Sequence, residues 1–148
     1  MTAAVDRFQT RRRIEFSDTD LAGIVHFSRF YVFMESAEHE FLRSIGTSVH
    51  TEIDGHQIGW PRLSASCDFF RPVRFEDWLD LEVLVERKGT KSMTYRVFFR
   101  HDDDLVARGR IASACCVLQA GERPRAIAIP AQIADRFEQC PAEDLKLR

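Results

Sequence analysis

The segment EFSDTDLAGIVHFSRFYVFMESAEHEFLRSIG, residues 15–46, decides the fold because it joins an acidic turn to a long apolar stretch. Two aspartates, Asp18 and Asp20, stand near its start and are separated by a single residue. Apolar residues then fill positions 30–34 without a break, so the first turns of a helix here are expected to be buried on nearly every side. Acidic residues on a surface turn are common, whereas acidic residues at the mouth of an apolar cavity indicate a catalytic role.

The apolar pattern predicts one long helix. Along one face of it, apolar residues recur at spacings of four, three, four and four: Phe30, Met34, Ala37, Phe41 and Ile45. Ser28 is predicted as the N-cap, and Gly46 as the residue that terminates the helix. Polar residues such as Glu38 come later, where one face of the helix is expected to meet water.

The remainder of the chain alternates apolar and polar residues with a period of two. This alternation predicts strands over residues 8–16, 62–69, 79–85, 94–100 and 105–118. Pro130 is predicted to start a short C-terminal helix. The order is a strand, the long helix and then four antiparallel strands. A helix that is apolar on most sides needs a sheet curled around it, so the pattern predicts an α+β fold.

The overall composition excludes several classes of protein. A length of 148 residues predicts a single domain over residues 1–148. The net charge of −2 argues against a nucleic-acid partner. The sequence has no run of about 18 apolar residues, so no membrane span is expected. Its first residues lack the apolar core of a signal peptide, and we therefore expect a cytoplasmic protein.

The four cysteines show neither CxxC spacing nor histidines at metal-ligand intervals. They are Cys67, Cys115, Cys116 and Cys140. We expect these cysteines to be reduced and to act as small apolar side chains. Neither a metal nor a redox cofactor is predicted.

Residues 13–46 resemble the signature of hotdog-fold acyl-CoA thioesterases of the 4-hydroxybenzoyl-CoA thioesterase type. The shared pattern is an aromatic residue, D-x-D, a small-residue turn ending G-[IV]-V, an aromatic residue or histidine, and the central helix. QIGWPRLSASCDFFRPVRFEDWLDLEV, residues 57–83, resembles the family's second strand with its G-x-P start. GERPRAIAIPAQI, residues 121–133, resembles its terminal R-A-I-x-[VI]-P segment.

This resemblance implies a fold, an activity and an assembly. The fold is an antiparallel five-stranded sheet wrapped around one long central helix. The activity is hydrolysis of an acyl-CoA thioester to a free acid and coenzyme A. Subunits of the family pair so that their sheets become continuous and the active sites lie at the subunit boundary. A homodimer that assembles further into a homotetramer is therefore expected, and such pairing covers open sheet edges.

By the motif, the resemblance identifies Asp20, the second acid of D-x-D, as the catalytic carboxylate. It either attacks the carbonyl carbon to give a mixed anhydride or deprotonates a water, and the sequence leaves both routes open. The backbone N–H of Phe27, at the helix N-terminus, is expected to polarise the thioester carbonyl. Asp18 is predicted to hydrogen-bond the turn backbone, with orientation of Asp20 as the alternative.

Further residues are assigned to the same site. His26 is an auxiliary or pocket-lining candidate, set against a merely structural role, because the family's functional histidine stands one position later, where this chain has Phe27. Gly23 suits either a turn with positive φ or close passage of the pantetheine arm. Val25 completes the G-[IV]-V turn, and both residues are expected to contact substrate.

Other residues are candidates for binding the remaining parts of the substrate. Arg87, Lys88 and Lys91 are expected to hold the nucleotide phosphates of coenzyme A, as a basic cluster in this region does in related enzymes. Trp60 and the many phenylalanines are expected to line an acyl pocket that suits a bulky apolar or aryl group. Acyl carrier protein stays open as an alternative to coenzyme A.

Two other functions are compatible with the fold that the resemblance implies. One is an acyl-thioester dehydratase, which uses a histidine with a helix carboxylate, and Glu35 is the nearby helix acid. However, the Gly-His-Phe-Pro stretch usual in those enzymes does not occur here. The other is a non-catalytic module that binds acyl-CoA, although such a module has no need to retain Asp20.

Overall fold

The computed structural model describes residues 3–146. Its regular elements are β1 Arg7–Arg13, α1 Phe27–Ser44, β2 His50–Ile53, β3 His56–Gly59, β4 Arg62–Phe69, β5 Trp78–Lys88, β6 Ser92–His101, β7 Asp104–Ala114, β8 Cys116–Leu118, β9 Arg125–Ala126 and α2 Ala131–Ala134. Two short 3₁₀ helices, Phe16–Asp18 and Ala142–Leu145, complete the set. Within this part of the chain no helix is both long and apolar enough to cross a membrane.

Five strands form one antiparallel sheet in the order β1-β5-β6-β7-β4. Helix α1 packs on it and contacts both edge strands, β1 and β4, as well as β5 and β7. A sheet whose two edges both reach one helix must curl around that helix. The predicted hotdog arrangement of five strands around one central helix is therefore confirmed.

The predicted strand over residues 105–118 is wrong in one respect, because the chain changes sheets at Cys115. The Cys115 N–H donates to the Lys91 carbonyl at 2.8 Å, and its own carbonyl accepts the Ile127 N–H at 2.9 Å. Beyond it, β8 joins a small second sheet of order β2-β3-β8-β9. The alternating pattern hides this switch, since apolar residues are buried on both sides of it.

The first strand is also shorter than predicted and ends at Arg13 rather than at residue 16. Ile14 turns into the core, and its N–H donates to the Asp77 carbonyl at 2.9 Å. The 3₁₀ helix then starts at Phe16, whose side chain is 77% exposed. Phe16 therefore does not share the inner face of the strand.

Helix α1 lies close against the sheet through its buried face: Phe30, Phe33, Met34, Ala37, Phe41 and Leu42. The closest approach is at Gly109 in β7, where an added Cβ would lie 2.0 Å from the Met34 Sδ. A side chain at this position would have to displace the buried Met34 thioether, and glycine avoids that shift. The sheet's centre is thus shaped to receive this helix.

The two ends of α1 differ from one another in how well they were predicted. Gly46 adopts φ +83°, and the N–H groups of Gly46 and Thr47 donate to the Arg43 and Leu42 carbonyls, each at 3.0 Å. This is the Schellman termination expected of a glycine at that position. The N-cap is His26 and not Ser28, so the helix begins two residues earlier than predicted.

Glu38 was expected on the solvent face of α1 but is 1% exposed. Its two carboxylate oxygens accept hydrogen bonds from the Arg62 Nη1 at 2.7 and 2.6 Å. The same nitrogen donates to the Ser113 Oγ at 3.0 Å. Burial raises the pKa of Glu38, and the Arg62 guanidinium opposes that rise. The expectation failed because the partner of Glu38 lies on β4, far along the chain.

Replacing Arg62 with Leu is expected to destabilise the fold in a pH-dependent manner. Without the guanidinium, the pKa of folded Glu38 rises further, so the folded state binds this proton more tightly than the unfolded state. The penalty is absent below the unfolded-state pKa, about 4, grows as the pH rises from there towards the raised folded-state pKa, and is constant above it. Urea unfolding should show a loss of about 3–5 kcal/mol near neutral pH and a much smaller loss in acid.

The double variant Arg62→Leu/Glu38→Leu is the control, because it has no buried carboxylate left to titrate. Its stability relative to wild type should change with pH less than that of Arg62→Leu, because only the Glu38 carboxyl of the wild type, whose pKa rise Arg62 opposes, then titrates. Equal losses for Arg62→Leu at both pH values would show that the charge of Glu38 is not the cause.

Candidate active site

The acidic turn between β1 and α1 is held by its own backbone. The Asp20 N–H donates to the Ile24 carbonyl, and the Gly23 N–H donates to the Asp20 carbonyl, each at 2.9 Å. Thr19 and Val25 face each other across an isolated antiparallel bridge. Gly23 adopts φ +77° with nothing within 4 Å of where a Cβ would stand. Turn geometry is thus sufficient to require this glycine.

Asp20 lies in this turn with one carboxylate oxygen anchored. Its Oδ1 accepts the Ala22 N–H at 2.8 Å, which fixes the orientation of the side chain. Among residues 3–146, the Oδ2 has no hydrogen-bond donor. The side chain is exposed. The result is an oriented carboxylate with one oxygen available to a ligand.

Asp18 has the opposite environment, because its side chain is fully buried. Its Oδ2 accepts the Glu15 N–H, and its Oδ1 accepts a hydrogen bond from the Arg29 Nε, each at 2.8 Å. Its backbone carbonyl accepts the His26 N–H at 2.9 Å. The prediction that Asp18 hydrogen-bonds the turn backbone is confirmed. The carboxylate also ties the turn to the first turn of α1.

The N-terminus of α1 is capped by His26. Its Nδ1 accepts the Ser28 N–H at 3.2 Å, and its backbone carbonyl accepts the Arg29 N–H at 2.9 Å. The Phe27 N–H has no acceptor within the described chain. An unpaired N–H at this position carries partial positive charge and suits a ligand oxygen.

A groove of about 530 Å³ joins these elements. Its walls are mainly apolar and come from the acidic turn, the start of α1 and the segment after β4: Asp20, Ile24, Val25, Phe27, Phe30, Phe69, Phe70, Arg71, Pro72 and Val73. A larger hollow of about 620 Å³ lies near the chain ends, but no predicted site residue lines it. The groove is the better candidate because it combines a free carboxylate oxygen with a helix N-terminus.

The base of the groove is aromatic and well packed. The Phe30 ring meets the Phe69 ring at 5.2 Å and the Phe99 ring at 5.3 Å between centroids, both edge to face. Arg71 contributes the groove's cation and is ion-paired with Asp104 at 3.0 Å. The arrangement suits an apolar or aromatic group lying beside the carboxylate.

Other predicted site residues lie elsewhere. Trp60 is 6% exposed, belongs to the core and does not line the groove. Its Nε1 is buried with no hydrogen-bond acceptor among the described residues. A substrate contact by Trp60 stays a prediction that the single subunit does not support.

The basic turn of Arg87, Lys88 and Lys91 lies at the far end of β5 from the groove. Eleven residues of strand separate the ends by about 30 Å. The Lys88 Nζ donates to the Ala134 carbonyl at 2.6 Å and the Phe137 carbonyl at 3.1 Å, so its ammonium is already engaged. One subunit therefore does not bring this cluster to Asp20.

The fold adds further cations to that end of the molecule. Arg125 lies in β9, and the following Ile127 is hydrogen-bonded to Cys115, which in turn bonds to Lys91. Sequence reasoning missed Arg125 as a phosphate-binding candidate. The signal was the GERPR stretch, whose proximity to residue 91 depends on the second sheet.

Two kinds of chemistry find no support in the described residues. No group of three or more His, Cys, Asp or Glu side chains is placed to hold a metal ion. Nor does His26, the histidine beside the groove residue Phe27, form a hydrogen bond with a helix carboxylate among residues 3–146. Glu35 is ion-paired with Arg62 at 3.5 Å and is not part of the groove, while the Nδ1 of His26 is used in capping.

Comparison with known protein families gives one match. A sequence profile of the thioesterase superfamily matches residues 22–108. The matched range covers more than half of the chain, from the acidic turn to β7. It includes most of the groove and begins two residues after Asp20.

Two characterised relatives are similar over most of the chain. A 4-hydroxybenzoyl-CoA thioesterase from Pseudomonas sp. strain CBS-3 is 28% identical over 137 residues, which cover 88% of this chain and 94% of the relative. A 1,4-dihydroxy-2-naphthoyl-CoA hydrolase from Prochlorococcus marinus strain MIT 9313 is 28% identical over 108 residues, which cover 68% and 72%. Both act on CoA thioesters by name.

Solved structures agree with this fold. The structure of a gentisyl-coenzyme A thioesterase superposes with a TM-score of 0.77 and 26% identity, covering 88% of this chain and all of the other. The structure of the Pseudomonas 4-hydroxybenzoyl-CoA thioesterase gives a TM-score of 0.75 and 25% identity, covering 87% and 97%.

The two aspartates of the turn should respond differently to substitution. Asp18→Ala removes a fully buried carboxylate and leaves the Glu15 N–H and the Arg29 guanidinium without their partner, so we expect it to lower the free energy of unfolding by about 1–3 kcal/mol. Asp20→Asn keeps an acceptor for the Ala22 N–H at an exposed site, and we expect a change within about 0.5 kcal/mol. Thermal unfolding of both variants tests this, and a large loss for Asp20→Asn would contradict it.

Proposed function

This chain belongs to the thioesterase superfamily, and on that basis we propose that it hydrolyses acyl-CoA thioesters to a free acid and coenzyme A. The observation that carries the proposal is the mainly apolar groove lined by both Asp20 and Phe27: among residues 3–146, the Asp20 Oδ2 has no donor and the Phe27 N–H has no acceptor. A thioester needs these three features: a nucleophile or base, an oxyanion donor and a dry site for the acyl group.

The thioester carbonyl oxygen accepts the Phe27 N–H in this proposal. Negative charge grows on that oxygen as the carbonyl carbon becomes tetrahedral, and a fixed donor at a helix N-terminus stabilises it. One such donor typically contributes about 2.7–4 kcal/mol. The donor is backbone, so a side-chain substitution of Phe27 does not remove it.

Asp20 supplies the second half of the reaction. In one route its free oxygen attacks the carbonyl carbon, the C–S bond breaks, and water then hydrolyses the mixed anhydride. In the other route the carboxylate takes a proton from a water molecule that attacks the same carbon. Both routes release the free acid and coenzyme A, whose thiolate takes up the proton. An oriented carboxylate with one free oxygen serves either route.

A second copy of the chain completes the substrate site in our proposal. Strand β4 is an open edge of the sheet and is exposed on both faces along most of its length. Open edges need covering, and pairing of two β4 strands across a two-fold axis extends the sheet. Assembly of such dimers into a tetramer follows the family's pattern, and exposed Phe16, Phe75 and Trp78 offer an apolar contact for it.

Strand register explains how this dimer would join the basic turn to the groove. Arg62 in β4 pairs with Ser113 in β7, beside the pairing of Ala114 with Ser92, so the basic turn lies at the Arg62 end of the sheet. The groove lies at the other end of β4, where Phe69 is found. Antiparallel pairing of two β4 strands reverses one of them and brings the partner's basic turn to the groove end.

The lining of the groove supports a proposal for the kind of acyl group. Its phenylalanines favour a bulky apolar or aryl acyl group, the kind that the named relatives hydrolyse. Coenzyme A is the carrier in our proposal, and acyl carrier protein is the alternative. No cofactor is needed, because the carboxylate and the backbone donor supply the chemistry. Four free cysteines fit a reducing cytosol.

Asp20→Asn should abolish most thioester hydrolysis while the protein stays folded. We expect kcat to fall at least about 100-fold, because amide nitrogen and oxygen neither attack a carbonyl carbon nor accept a proton well. Thiol release from a panel of aryl-, short- and medium-chain acyl-CoAs, with wild type alongside, measures this. Binding without thiol release by wild type on the whole panel would instead indicate a non-catalytic acyl-CoA-binding module.

The double variant Arg87→Ala/Lys91→Ala should weaken binding of coenzyme A thioesters. Loss of two exposed phosphate contacts is expected to raise KM by roughly 2- to 10-fold at low salt, and less at high salt. The matched control is an acyl-pantetheine thioester, which lacks the nucleotide and should show no difference between variant and wild type. An equal rise in KM for both substrates would argue against phosphate binding by this turn.

A further inference from the structure

His26 is unusual as a helix N-cap, since Ser, Thr, Asp and Asn dominate that position. Its ring accepts from the Ser28 N–H at 3.2 Å, and its Nδ1 lies 2.7 Å from the Ser28 Oγ. Its own N–H is held by the Asp18 carbonyl, and its carbonyl accepts from Arg29. The backbone groups and the Nδ1 of this residue are therefore occupied at the start of α1.

The Nδ1 of His26 is the ring atom that caps the helix. It accepts the Ser28 N–H through its lone pair, which is the role of the tautomer with its proton on Nε2. In that tautomer the Ser28 hydroxyl is the donor in its contact with the same nitrogen. A proton on Nδ1 would break the cap, so a lone pair used in this way is not available to a substrate proton.

The cap provides acceptors for some N–H groups of the first helical turn and not for others. The side chain of His26 satisfies Ser28, and its carbonyl satisfies Arg29, while Phe27 is left without an acceptor among residues 3–146. The His26 ring stacks on the Phe27 ring, with centroids 4.6 Å apart and planes inclined by 30°. Phe27 is 61% exposed and lines the groove, so this stacking holds an otherwise loosely packed side chain.

We infer that His26 is a positioning residue that keeps the Phe27 N–H free and in place for an acyl oxygen, and that it does not carry protons in the reaction. The inference rests on the proposed thioester hydrolysis. It assigns to His26 the positioning of the oxyanion donor and leaves the base or nucleophile role to Asp20 alone.

Three variants separate the possible roles. His26→Asn is a short cap with no acid–base function near neutral pH, His26→Phe keeps an aromatic ring against Phe27 without a cap, and His26→Ala removes both. We expect Asn to retain kcat within about 2-fold and Phe and Ala to lose roughly 5- to 30-fold, with KM little changed. The Asn variant should also keep the wild-type pH profile.

Kinetics that contradict the inference are equally clear. If His26→Asn lost as much kcat as His26→Ala, or if its pH profile lost a limb, the ring would be acting in proton transfer. If His26→Ala kept the wild-type kcat, the cap would have no role in positioning. Either result overturns the proposal.

A readout independent of turnover keeps this test separate from that of hydrolysis itself. In ¹⁵N-labelled protein, the His26 Nδ1 should show the shift of an unprotonated nitrogen, and hydrogen exchange of the Ser28 amide should accelerate in the Ala and Phe variants but not in Asn. A non-hydrolysable ketone analogue of a benzoyl-CoA thioester should shift the Phe27 amide of wild type and of Asn more than that of Ala. A protonated Nδ1, or equal shifts in all variants, overturns the inference even if wild type hydrolyses no thioester.

Discussion

Burial of the apolar face of α1 is the constraint on which the rest of the fold depends. The first turns were expected to be buried on nearly every side, but Val32 is 38% exposed, so one side of the helix still meets water. A flat sheet would contact only a narrow strip of the helix, and the five strands curl until both edge strands touch it. At the centre the fit is tight enough that a side chain at Gly109 would have to displace the Met34 thioether. Curling places the helix N-terminus at one end of the sheet, where the turn from β1 arrives, and this meeting point becomes the groove.

The two aspartates of that turn, Asp18 and Asp20, have different roles because their surroundings differ. Asp18 is buried and fully bonded, and its contacts with Glu15 and Arg29 fix the turn relative to the helix. Asp20 is exposed and bonded through one oxygen only. The Asp18 carboxylate makes the bonds that hold the turn in place, and the Asp20 carboxylate therefore keeps one oxygen available to a ligand. In the proposed reaction this division separates the residue that shapes the site from the residue that meets the thioester.

Sequence periodicity was a good guide to the elements and a poor guide to their ends. Alternation indicated five strands, but it ran through the sheet change at Cys115, because both flanking segments are buried. Glu38 looked like a solvent residue since its partner, Arg62, lies on another strand. His26 was overlooked as a cap because the usual cap residue, Ser28, follows closely. Asp20 itself was identified through family resemblance, as an aspartate in such a turn is ordinarily structural.

The contacts that shape the turn join residues close together in the sequence, and this affects the order of folding. The Asp18 carboxylate and the Arg29 side chain are 11 positions apart, whereas Gln9 and Glu82, which link β1 to β5, are 73 apart. Closing a short loop costs less entropy and is faster than bringing distant strands together. The acidic turn and the first turn of α1 can thus become ordered while the sheet is still open, and the curled sheet then closes around a helix whose reactive end is already formed.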